Sequence, residues 1–228
     1  LCTDELLLAL AAHGQISSLT HLSRDRRESA YWRMAGNYPA NSGTILSVAK
    51  DRPDLIVTMG GGGRDSAGLA SAIGARLLDL PFPAKITDVE QGIALLADAL
   101  GRSEQGAQLI ASVRRTTANL PRHPSPAIFI GSAGRSLSPN GAGAQWLAAA
   151  GYHQIPLAGD RIDREQLLRL PPVTLVVSDY RIDQYSRSDT LPVTRARDRR
   201  VITDGRRWTC MGPSLLPEIL RLRRSVAR

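Results

Sequence analysis

The sequence predicts an α/β chain of two similar lobes, each a mostly parallel sheet covered by helices, joined by one long helix. Three observations carry this. Apolar runs of strand length alternate with helical segments in both halves, as parallel sheets covered on both faces require. The stretch RSEQGAQLIASVRRTTANL, Arg102 to Leu120, reads as one continuous helix near the middle of the chain. Finally, ILSVAKDRPDLIVTMG from Ile45 is echoed by EQLLRLPPVTLVVSD from Glu165. Each copy is a short helix, a proline and a β-branched strand, and one copy lies on each side of the central helix. The expected divisions are a first lobe over 1–101, the connecting helix over 102–121 and a second lobe over 122–228.

Each element has a local cause. Thr3 is the expected N-cap of a first helix running through His13, with Asp4 and Glu5 in its first turn and Gly14 stopping it. A strand is expected just before it. Ile16 to Leu22 reads as a short strand, and a short helix is expected near Glu28 to Met34. Thr44 to Lys50 is a helix, and Pro53 opens a buried strand, DLIVTMG, followed by the glycine run Gly60 to Gly63. Helix Ser66–Ile73 and strand Ala75–Leu80 come next. Ile86 to Leu100 is amphipathic, with Val89, Ile93, Leu96, Ala97 and Leu100 on one side. The central helix has Ser103 as N-cap, Glu104 in its first turn, Arg114 and Arg115 late, and Pro121 as its stop. At ~1.5 Å per residue it spans about 28 Å. Beyond it lie strand Ala127–Ile130, helices Ala144–Ala150 and Asp163–Leu170, strands Val173–Ser178 and Arg200–Thr203, and a closing helix Gly212–Val226.

Composition narrows the function. With 228 residues, 43% hydrophobic and 22% charged, the chain can bury a full core, and no apolar run reaches the ~18 residues of a membrane span. The net charge of +8 comes mainly from arginine, and Arg195 to Arg207 alone holds six. That fits an anionic ligand or a solvated basic face. Sparse aromatics that do not interleave with the basic runs argue against a single-strand nucleic-acid surface. Cys2 and Cys210 stand near opposite ends, compatible with two unrelated residues, with a disulfide or, more weakly, with a shared metal site.

The motifs favour binding over catalysis. The run Gly60 to Gly63 invites a phosphate-loop reading, but G-x-x-x-x-G-K-[ST] is absent, and Gly61-x-Gly63-x-x-Ser66 lacks the third glycine of a dinucleotide fingerprint. His13, His21, His123 and His153 have no ligand spacing, and no G-x-S-x-G occurs. In parallel sheets ligands gather outside the carboxyl ends of strands, which singles out the loops after Met59, Ile130, Ser178 and Thr203. Trp208, in RRWTCMGP, is the expected aromatic wall there, and Trp146, in a helix, is expected in the core. Arg135, Arg161, Arg181 and Arg206 are candidates to pair with carboxylates or a phosphate.

Taken in order, LCTDELLLAL, NYPANSGTILSVAKDRPDLIVT, SPNGAGAQWLAAAG, DREQLLRLPPVTLVVS and WTCMGP resemble the periplasmic substrate-binding proteins of iron-complex and cobalamin ABC importers. The resemblance covers nearly the whole chain. It implies two Rossmann-like lobes on an interlobe helix, clamping a ferric siderophore, haem or corrinoid in an interlobe cleft for delivery to a permease and its ATPase. It also implies a periplasmic monomer with no intrinsic cofactor and no catalytic residues, its signal peptide and first strand lying outside this chain. Ligand contacts carried over by position are Tyr38, Met59, Gly60, Gly61, Asn140, Arg161 and Trp208. Arg135, Tyr180 and Arg181, in loops after expected strands, join that set. Permease docking would use Asp65 and Glu165, one carboxylate per lobe, and Cys2 with Cys210 would form an interlobe disulfide or supply a thiolate ligand. The competing readings are a two-lobed glycosyl- or nucleotide-dependent transferase, and a nucleic-acid binder using Arg195 to Arg207.

Overall fold

Helices and parallel strands make up both halves of the computed structural model, which describes residues 1–62, 67–118, 120–180 and 199–226. By its internal contacts the chain divides into Leu1–Ser112 and Val113–Arg228, so the division falls within the central helix.

The first unit begins with α1 (Cys2–Leu10), followed by β1 (Leu19–Thr20), α2 (His21–Arg24), α3 (Trp32–Ala35) and β2 (Ala40–Asn41). Next come α4 (Ile45–Val48), β3 (Leu55–Met59), α5 (Ala67–Ala72), β4 (Arg76–Leu80), α6 (Ile86–Ala99) and the central helix α7 (Ser103–Ala118). β1 pairs with β2 and β3 with β4, both in parallel, as two separate two-stranded sheets. Three expectations are corrected here. Leu1, not Thr3, is the N-cap of α1, and Thr3 is buried within the helix. The strand expected over Ile16 to Leu22 shortens to Leu19–Thr20, because His21 already starts a helical turn. β3, expected to be buried, is only half-buried at all five positions. α6 and α7 meet closely where Gly106 faces Ala97: a Cβ on Gly106 would stand 2.5 Å from that of Ala97.

The second unit forms one parallel sheet in the order β6-β5-β7-β8, from β5 (Ser125–Ile130), β6 (Tyr152–Gln154), β7 (Thr174–Ser178) and β8 (Arg199–Thr203). Its described helices include α8 (Ala142–Ala149), α9 (Arg164–Arg169) and α10 (Leu216–Val226). Side chains alternate across a strand, so Ile128 and Ile130 pack with Leu157, Val173, Leu175 and Val177 on one face. With both faces covered, central β7 is a continuous apolar run, Leu175–Val177, that is buried throughout. β2 and β6 had no signal in the sequence pattern, since two or three residues are too short to show a period.

Candidate functional site

In the second unit the loops leaving β5 and β6 are welded together by one buried amide. Gln154, 3% exposed, ends β6. Its Oε1 accepts the Phe129 N–H at 3.1 Å, and its Nε2 donates to Ser136 Oγ at 3.0 Å and to the Ile155 carbonyl at 2.8 Å. Ser136 Oγ in turn donates to the Phe129 carbonyl at 2.7 Å. Such fully satisfied buried groups fix geometry, because any displacement leaves a polar atom unpaired.

Directly beyond this weld, Arg135 and Arg161 face each other as an isolated antiparallel bridge. The flanking bonds run from Ser136 N–H to the Asp160 carbonyl and from Ile162 N–H to the Gly134 carbonyl, both 2.8 Å. That pattern makes Arg135 and Arg161 a non-hydrogen-bonded pair, the kind with Cα atoms about 4.5 Å apart and neighbouring side chains. Both arginines are exposed. Neither guanidinium has a hydrogen-bond or ion-pair partner among the described residues. Like charges placed opposite one another are destabilising, so the pair is suited to an anion that neutralises both. Asn140, in the same loop after β5, is exposed.

The loops after β7 and β8 form a second, buried network. Glu218 of α10 accepts the Thr203 hydroxyl at 2.6 Å and the Asp204 N–H at 3.0 Å, and Arg221 donates to both its oxygens at 2.6 and 3.0 Å. Asp204 holds Arg206 through two bonds, of 2.8 and 2.9 Å, and pairs with Arg207 at 3.3 Å. Burial pushes both carboxyls upward, but Arg206 and Arg207 together outweigh it at Asp204, and Arg221, Thr203 and the Asp204 N–H together at Glu218, so each ends below its ordinary value. A carboxyl lowered in the folded state stabilises fully above its ordinary pKa and loses that contribution as pH falls through the folded value. Glu218→Gln is therefore expected to cost about 1–3 kcal/mol at pH 7. It is also expected to flatten the loss of stability below the ordinary Glu218 value of 4.5, read by denaturant titrations between neutral and acid pH.

Trp208 belongs to this network and is not an aromatic wall. It is 4% exposed, its ring lies 4.8 Å from that of Phe129, and its Nε1–H donates to Thr203 Oγ1 at 2.8 Å. A short 3-10 turn over Gly205–Trp208 carries the indole against Phe129. Arg206, another expected ligand contact, is held by Asp204. Tyr180 is half-buried at the carboxyl end of β7, its N–H on Ser178 Oγ at 3.2 Å. Sequence reading missed Thr203, Asp204 and Glu218; the only available signal was the polar T-D-G turn after an expected strand.

In the first unit, Gly60 and Gly61 both adopt left-handed backbone, with φ of 71° and 85°. This lets the loop turn sharply after Met59, which is half-buried at the end of β3. Asp79 of β4 accepts the Gly61 N–H at 3.0 Å and the Thr58 hydroxyl at 2.7 Å. A carboxylate thus occupies the amide a phosphate would need. Tyr38, an expected ligand contact, is half-buried. It precedes β2 and so lies at the amino end of that strand. There it packs against Ile16, Leu19 and Ala35, with its hydroxyl 3.0 Å from His13 Nδ1.

No family model matches the chain, and neither does any curated protein. Solved structures do. The periplasmic haem-binding protein HutB of Vibrio cholerae is 17% identical, with a TM-score of 0.73 over 100% of this chain and 96% of its own. A periplasmic haem-binding protein from Pseudomonas aeruginosa is 18% identical, with a TM-score of 0.73 over 97% of this chain and 88% of its own. MolA of Haemophilus influenzae, a periplasmic binding protein solved with molybdate, is 13% identical, with a TM-score of 0.70 over 99% of this chain and 83% of its own. This chain has the fold of the periplasmic binding proteins.

Within that fold the remaining expected positions are placed as follows. Asp65 and Arg181 lie outside the described residues. Glu165, in the first turn of α9, is exposed and bonded to Arg169 one turn on. Cys2 and Cys210 are both disulfide-bonded and neither is a free thiol, so no thiolate remains for a metal. No group of three or more His, Cys, Asp or Glu side chains with metal-binding geometry occurs among the described residues. No described helix is long and apolar enough to cross a membrane. In the described part of the basic run Arg199 and Arg200 are exposed, Arg199 donating to the Ser225 carbonyl, and half-buried Arg207 donates to the carbonyl of Ser214 at 2.7 Å. From the last helix, Arg223 donates to the carbonyls of Ala149, at 2.6 Å, and Thr116. These arginines fasten helix ends and loops of the unit.

Proposed function

We propose that this protein is the solute-binding component of an ABC importer, capturing an anionic metal chelate, a ferric siderophore or haem, for delivery to a membrane permease. The observation that carries the reading is the Arg135–Arg161 pair: two exposed, uncompensated guanidinium groups held side by side on carboxyl-end loops. The haem and molybdate named for the fold neighbours also carry negative charge, in propionates and in an oxyanion. An amide-rimmed corrinoid gives such a pair less to neutralise. Affinity then comes from charge-assisted hydrogen bonds rather than from Trp208, whose burial removes the aromatic wall expected from the sequence. Binding involves no chemistry on the ligand. Disulfide-bonded cysteines suit an oxidising compartment, in keeping with a periplasmic site of action. Glu165 is the permease-docking carboxylate on this reading, exposed on α9.

The test is a titration of the protein with haemin, a ferric siderophore and cobalamin, followed by ligand absorbance and calorimetry. One of the two anionic chelates is expected to bind. Each single substitution, Arg135→Glu or Arg161→Glu, is expected to weaken it at least tenfold and the double variant about a hundredfold, since a charge-assisted bond contributes about 1.5–3 kcal/mol. Equal affinity of the double variant, or cobalamin binding alone, would overturn the reading.

A further inference from the structure

In the first unit the loops leaving β3 and β4 are locked together and hold one aromatic side chain out to solvent. Phe82, just beyond the carboxyl end of β4, is 52% exposed. Single apolar side chains are common on surfaces, so exposure alone assigns nothing. What sets Phe82 apart is how firmly it is placed. Pro81 has its own φ fixed, and Pro83, which is buried, disfavours helical backbone at Phe82. Asp88 Oδ2 then accepts the N–H groups of Ala84 and Lys85, both at 2.9 Å. Across the strand pair, Met59 is in register with Leu80, and the Gly60 N–H donates to the Leu80 carbonyl at 2.8 Å. A Cβ on Gly60 would stand 3.6 Å from that of Phe82. Phe82 therefore adjoins a stretch of backbone, beginning at Gly60 and Gly61, that carries no side chains.

We propose that Phe82 is a ligand contact, and that the ligand presents to it a flat conjugated face, a porphyrin or a catechol ring. This rests on the reading of the protein as a binder of metal chelates, and it narrows the class of chelate. The two loops lie at the carboxyl ends of paired parallel strands, where such sheets hold their ligands. Glycine there lets a flat body come close to the backbone. An anion is poorly served by this loop pair, because Asp79 already occupies the Gly61 N–H and the Thr58 hydroxyl. The contact on offer is the ring of Phe82. Stacked on a conjugated face, it gains an aromatic interaction in addition to the area buried. Because its backbone is fixed before binding, little entropy is lost in making the contact. Trp208, packed on Phe129, has no ring to offer a ligand, and Phe82 takes the part expected of it.

The test titrates three chelates against the parent protein and against Phe82→Ala, Phe82→Leu and Phe82→Tyr, followed by ligand absorbance and calorimetry. The chelates are haemin, ferric enterobactin with its catechol rings, and ferrichrome, which has no aromatic ring. Haemin or ferric enterobactin is expected to bind the parent more tightly than ferrichrome does. Phe82→Ala is expected to weaken that binding about tenfold and Phe82→Leu roughly threefold or more, whereas Phe82→Tyr stays within about twofold. Denaturation midpoints of the four proteins are expected to agree, because the side chain is exposed. Unchanged affinity in Phe82→Ala, alongside weakened binding in Arg135→Glu and Arg161→Glu, would sink this inference and leave the chelate-binding reading standing. Tighter binding of ferrichrome, or a loss in Phe82→Tyr as large as that in Phe82→Leu, would also sink it. Binding of none of the three would remove both.

Discussion

Trp146→Ala is expected to destabilise the second unit by about 4 kcal/mol, the middle of the range for emptying a large buried aromatic site. Trp146 is fully buried in α8, and its Nε1–H donates to the Met211 carbonyl at 2.8 Å. Met211 has a left-handed backbone, φ 49°, a conformation that a non-glycine residue keeps only where its surroundings hold it. Its side chain packs where Gly143 of α8 leaves room: a Cβ there would come within 3.1 Å of Met211 Cε and 2.6 Å of Leu137 Cδ2. Loss of the indole therefore opens a cavity and frees the loop that carries Cys210. Trp146→Phe, which keeps most of the apolar volume, is expected to cost about 1–2 kcal/mol, chiefly the unsatisfied Met211 carbonyl. Chemical denaturation of both variants, followed by near-ultraviolet circular dichroism, checks the order. Equal stability of Trp146→Ala and the parent protein would contradict the packing described.

Gly205→Ala is the second large effect, at about 3 kcal/mol or more, and arises from overpacking rather than from a void. A Cβ on Gly205 would lie 1.9 Å from Ser178 Oγ, 2.5 Å from Tyr180 Cβ and 2.7 Å from the Tyr180 backbone nitrogen. The serine hydroxyl can rotate away, but the Tyr180 backbone cannot, because it continues from β7. Gly205 also donates its N–H to Asp179 Oδ1 at 2.8 Å, so displacing it breaks the link between the loops after β7 and β8. The expected signature is a lowered denaturation midpoint together with altered tryptophan fluorescence, since Trp208 sits three residues on. Ser178→Ala in the same background removes only the softest of the three contacts and is expected to restore less than half of the loss.

Much of the architecture was legible because its signals are local. The echo of helix, proline and strand is borne out by α4 with β3 and by α9 with β7. Ile86–Ala99 and Thr174–Ser178 fall within one or two residues of their expected bounds. What failed to show was of two kinds. Strands of two or three residues, such as Ala40–Asn41 and Tyr152–Gln154, are created by pairing and not by period. Thr3 and Trp208 were assigned by residue type, and their surroundings decided otherwise.

By itself, the sequence determined the α/β class, the order of the helices and most strands, and the loops at the carboxyl ends of the strands. Periodicity and helix-ending residues act over a few positions and need no distant partner. Tertiary structure alone decided that Arg135 and Arg161 stand side by side, that Trp208 turns inward onto Phe129, and that Tyr38 lies at the amino end of its strand. Each of those outcomes depends on which strands pair and in which register, an interaction between residues tens of positions apart.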